Sequence, residues 1–115
     1  MKVLPFSDQV AAALHPSAVA SLEATISKDL RIVLTFIQHA EDMAQLLKPR
    51  GARLTRLTDV PAPDYHYGTG ATGVLLRPID DRGTRLSTDG SMTSLRAVYS
   101  VAILRVGLSL KEALT

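Results

Sequence analysis

From Val19 to Leu47 small or apolar residues recur at every third or fourth position: Val19, Leu22, Ile26, Leu30, Val33, Ile37, Ala40, Ala44 and Leu47. Such spacing puts all of them on one stripe of an α-helix. Ser17 offers a cap at the start, and Lys48-Pro49-Arg50-Gly51 is a stop signal. The spacing therefore predicts one helical region from about Ala18 to Leu47, roughly 45 Å long at 1.5 Å per residue. Ile32, Leu34 and Phe36 fall off the stripe, so the middle of this helix needs a second covering surface. A competing division makes the β-branched run Arg31 to Ile37 a buried strand between two shorter helices. Ahead of the stripe, Ser7 can cap a short helix over Asp8 to Leu14, closed by His15-Pro16.

The rest of the chain reads as short strands and turns. Residues 52 to 58 form a weak strand, and residues 61 to 73 a thirteen-residue loop. Residues 73 to 79 and 84 to 87 pair across Asp80-Asp81-Arg82-Gly83, a good turn composition. Pro78 puts the first of these two at a sheet edge or near its own end. Leu95, Val98, Tyr99, Ala102, Ile103 and Val106 carry the spacing of a helix, with a strand over Val98 to Val106 as the alternative. Ser109 and Glu112 form a capping box that opens a last short helix. The expected fold is α+β, in one domain of 115 residues. A long N-terminal helical region packs on a small antiparallel sheet, with a C-terminal helix and a short terminal helix.

Composition narrows the function. A hydrophobic content of 46% with 21% charge is ordinary for a globular chain, and no apolar run reaches membrane-spanning length. A cytoplasmic protein is expected, including one incorporated into an assembly made there. There are no cysteines, so disulfides, thiol catalysis and thiolate metal sites are excluded together. The three histidines, His15, His39 and His66, share no helix face at ligand spacing, and neither a metal nor a cofactor is expected. His66 and Asp64 could act as a base and its orienter, but no nucleophile is indicated beside them. Asp80 and Asp81 read as turn formers rather than a catalytic carboxylate pair.

The string Gly68-Thr69-Gly70-Ala71-Thr72-Gly73 matches the pattern that cradles phosphates in dinucleotide-binding proteins. That mechanism needs a strand before the glycines and a helix after them. Here prolines precede and an apolar strand follows, so the string reads as the flexible half of a loop. Its other half carries Tyr65, His66 and Tyr67, read as a projecting partner-binding patch.

Charge is uneven. Residues 1 to 47 carry five acids and three bases, whereas residues 48 to 115 carry ten bases and six acids. Lys48, Arg50, Arg53 and Arg56 form a basic contact segment with no acid among them. The expected function is a non-enzymatic structural protein working as a homo-oligomeric ring or scaffold subunit, by analogy with phage virion connector and tail components. The alternative is a small nucleic-acid-binding accessory or regulatory protein using Lys48 to Arg56.

Overall fold

The computed structural model of the protein describes residues 1–5, 24–57, 62–69 and 71–114. Its frame is a five-stranded mixed sheet. In chain order the strands are β1 (Lys2–Pro5), β2 (Arg53–Arg56), β3 (Tyr65–Gly68), β4 (Gly73–Ile79) and β5 (Ser100–Val106). In space the order is β1-β5-β4-β3-β2, with β1 parallel to β5 and the other neighbours antiparallel. Among the described residues three α-helices accompany the sheet: α1 (Ala24–His39), α2 (Met92–Arg96) and α3 (Leu110–Leu114).

The apolar stripe does not make one long N-terminal helix. Helix α1 ends at His39, with Ala40 N–H still donating to Phe36 O at 3.1 Å. Asp42 then turns extended, and its carboxylate accepts from Gln45 N to start a separate 3₁₀ turn, Met43–Leu47. The break has a geometric reason: a helix of roughly 45 Å would overshoot a body whose extents are 36 × 27 × 26 Å. Bending the chain at Ala40 to Asp42 lets Met43, Ala44 and Leu46 join the same core as Leu30, Val33 and Ile37. The expected start of the region, residues 18–23, lies outside the described residues, as does the short helix expected over Asp8 to Leu14.

The C-terminal helix expected over Leu95 to Val106 is also overturned. Only Leu95 and Arg96 of that span are helical, at the end of α2, and Ser100–Val106 is a strand at the heart of the sheet. β5 has a neighbour on each side and Ser100 to Ile103 are all buried, so its apolar residues run on rather than alternate. Such a run contains helical spacings by coincidence, and the β-branched Val101, Ile103 and Val106 favour the strand. Residues 84–87 supply only a single bridge, Arg85 to Ile79, and the expected loop from 61 to 73 contains β3. The small antiparallel sheet is thus replaced by a larger mixed one. Pro78 is next to last in β4, near its end.

Register assigns each side chain to a face. Tyr65, Tyr67, Val74, Leu76, Val101 and Ile103 form one face with α1 and the 3₁₀ turn packed on it. Between Ile103 and Arg105 the register shifts, leaving Leu104 as an extra residue opposite the Leu75-Leu76 step. Because of that bulge Arg105 pairs with Leu75 and Val106 with Val74, so both stay on the faces where their chemistry fits.

Candidate functional site

The glycine string forms the β3–β4 hairpin. Gly68 and Gly73 are directly paired, and a Cβ on Gly68 would lie 2.4 Å from the Gly73 Cα. One on Gly73 would lie 2.5 Å from Tyr67 O and 2.8 Å from the His66 ring. Backbone approach therefore requires both glycines. In the turn, Thr69 N donates to Thr72 O at 2.9 Å, while Thr69 Oγ1 accepts from Ala71 N at 3.3 Å and Thr72 N at 3.1 Å. These three N–H groups face inward to the turn's own oxygens and are not offered to a phosphate.

Tyr65, His66 and Tyr67 do not project. They lie in β3, an inner strand, and are 2%, 1% and 0% exposed. Tyr65 Oη hydrogen-bonds Thr88 Oγ1 at 2.7 Å, and burial pushes the Tyr67 hydroxyl up to about 12. His66 Nε2 donates to Leu108 O at 2.6 Å, so the ring pins the segment leading into α3 onto the sheet. It is not paired with Asp64, and the base-and-orienter arrangement does not form. The sequence patch is core because its strand is sandwiched between β2 and β4 and covered on both faces.

The basic segment is divided. Lys48 and Arg50 are exposed in the connection after the 3₁₀ turn, and Arg53 and Arg56 are three residues apart on the edge strand β2. Odd spacing on a strand sends side chains to opposite faces. Arg53 pairs with Gly68 on the face away from α1, and Arg56 with Tyr65 on the α1 face. Arg56 lines an open cavity of about 340 Å³ with Ser87, Thr88, Asp89 and Ser94. Asp89 accepts from Ser91 N at 2.8 Å, and hydrogen bonds from Ser91 hold its carboxyl down to about 2. Ser94 Oγ donates to Ser91 O at 3.1 Å. The cavity thus combines a guanidinium, a carboxylate held by Ser91 and Ser94, and hydroxyls.

A cluster that local spacing missed lies on the face away from α1. Asp64 accepts from Arg77 twice, Nε to Oδ1 at 3.0 Å and Nη2 to Oδ2 at 3.3 Å, and from Arg85 Nη2 at 3.5 Å. Two guanidiniums share one carboxylate. The partners are 13 and 21 residues away, and only strand register brings them together. Asp80 accepts from Arg82 N and Thr84 N, each at 2.9 Å, as a turn former should. His39 donates from Nδ1 to Thr35 O at 2.9 Å on an exposed helix surface. Among the described residues no group of three or more histidines and carboxylates could hold a metal ion, and no helix is long and apolar enough to cross a membrane. Comparisons of the chain with family models, curated proteins and solved structures found no match.

Proposed function

We propose that this protein is a non-enzymatic assembly subunit that self-associates, as ring or scaffold proteins of phage connectors and tails do. One observation carries the reading: among the described residues, five carboxylates and one buried histidine are engaged in holding the fold. Asp42 and Asp89 organise the starts of short helical turns, Asp64 holds two arginines, Asp80 closes a turn, and Glu112 completes a capping box. His66 ties the C-terminal segment to the sheet. A catalytic site needs such groups poised toward a substrate rather than satisfied by neighbouring backbone.

Self-association is supported by what the surface leaves open. Tyr99 is 64% and Met92 47% exposed, large apolar groups a subunit contact would cover. Light scattering and native mass spectrometry from low to high micromolar concentration test the reading. Discrete multiples of the 12.4 kDa chain are expected, and Tyr99→Ser should shift them toward the single chain. A single chain throughout that range, unchanged on mixing with its native neighbours, would overturn it.

A further inference from the structure

Register collects the strand-borne cations on one face of the sheet. Lys2 pairs with Ser100 and Ser100 with Ile79, so Lys2 shares the face of Ile79 and Arg77. Arg105 pairs with Leu75 on that face, Arg53 with Gly68 beside His66, and Arg85 bridges to Ile79. Lys2, Arg53, Arg77, Arg85 and Arg105 therefore lie on the side away from α1, and among the described strand residues the opposite side has Arg56 at its margin. Among the described residues, the carboxylates placed on the basic side are Asp64, shared by Arg77 and Arg85, and Glu112, which accepts from Ser109 N and lies within electrostatic reach of Arg105. Among the described residues positive charge is in excess on this face; its centre is covered, with His66, Ile79, Ser100 and Ala102 buried, and four of the five cations are exposed around it.

We infer that this face binds the phosphate backbone of nucleic acid without regard to sequence. Positions two apart on a strand are about 6.8 Å apart and neighbouring strands about 4.8 Å, so several cations can engage one backbone at once. Four of the five are arginines, whose planar fork matches phosphate oxygens in pairs. Tyr65 and Tyr67 belong to the other face, so the described strands offer no aromatic platform to unstacked bases. Contact is with phosphates, and single strands and duplexes both bind. The site differs from the Lys48 to Arg56 segment, which register splits, and it is independent of self-association.

Fluorescence anisotropy with a labelled strand of about twenty nucleotides, alone and as duplex, over a series of salt concentrations tests the inference. Both forms are expected to bind at low salt, with affinity falling steeply as salt rises. Arg53→Gln with Arg105→Gln removes two exposed cations without touching the Asp64 cluster. This pair should weaken binding at least about tenfold and reduce the slope of log affinity against log salt by about one to two. Lys48→Gln with Arg50→Gln, an equal charge change elsewhere, should leave both nearly unchanged. Circular dichroism confirms that each variant is folded. Absence of salt-dependent binding by the parent protein would overturn the inference. Equal losses in the two double variants would do the same, as would binding to phosphatidylserine vesicles with none to either oligonucleotide.

Discussion

The two faces of the sheet are built from the same strands and do opposite things. Toward α1, Tyr65, Tyr67, Val74, Leu76, Val101 and Ile103 make an apolar layer sealed by Leu30, Val33 and Ile37. Away from α1, Ile79, Ser100 and Ala102 are buried and His66 holds down a five-residue helix, while cations lie exposed around them. The first face supplies stability through buried area. The second leaves charge at the surface, where it can meet a partner.

The strongest way to break this division is at Gly73, whose backbone lies close against Tyr67 O and the His66 ring. Gly73→Ala should cost more than about 2 kcal/mol, because the new methyl meets Tyr67 carbonyl oxygen on the backbone and cannot be relieved by a rotamer change. Chemical denaturation checks this. Since the same methyl would press the His66 ring, the variant should also show faster amide exchange through Leu108 and α3. A variant as stable as the parent would mean that the hairpin is looser than its geometry implies.

Alkali probes the sealed face next. Tyr67 keeps its proton up to about 12 because its ionised form would be buried. Its folded value lies above the ordinary value of 10.0, so its contribution to stability is full below pH 10 and is lost as pH rises from 10 toward 12. Denaturation midpoints should fall over that window. In Tyr67→Phe the fall should be shallower, and a variant tracking the parent would show that this hydroxyl ionises without penalty.

How far these faces could be read from the sequence differs element by element. The capping box at Ser109 and Glu112 and the Asp80 to Gly83 turn were legible because their partners are within four residues. Strand β4 was legible from its flanking turns. β5 was misread as helix because burial on both sides erases alternation, and β3 was absorbed into a loop because the prolines before it and the glycines that end and follow it outweighed four residues of strand. The stripe before Lys48 continues to look helical past Ala40, since a kink enforced by domain size leaves the apolar spacing intact. Asp64 with Arg77 and Arg85, and the split of Arg53 from Arg56, are consequences of register. No local pattern specifies which strands become neighbours.

Removing the carboxylate at the centre of the charged face should sharpen the contrast. Asp64→Asn leaves the shape of the side chain but takes away the charge that Arg77 and Arg85 share. Nucleic-acid affinity at low salt should rise severalfold, with a steeper salt dependence, while stability changes by about 1 kcal/mol or less because the pairs are partly solvated. An unchanged affinity would show that these two arginines do not face the ligand.

The smallest effect is expected at the cap of α3. Ser109 Oγ accepts from Glu112 N at 3.2 Å, and the Glu112 carboxylate accepts from Ser109 N at 3.3 Å. Those bonds hold the Glu112 carboxyl below its usual value. Ser109→Ala should cost about 1 kcal/mol locally, but α3 has only five residues and buries none of them fully. The loss should appear as fraying of α3 rather than as a lower global stability. Amide exchange should quicken from Leu110 to Leu114 and stay unchanged in α1, because α1 packs on the opposite face and shares no hydrogen bond with the cap. Faster exchange in both helices would mean that the faces unfold together, and the division between an apolar and a charged side would then not describe how the molecule moves.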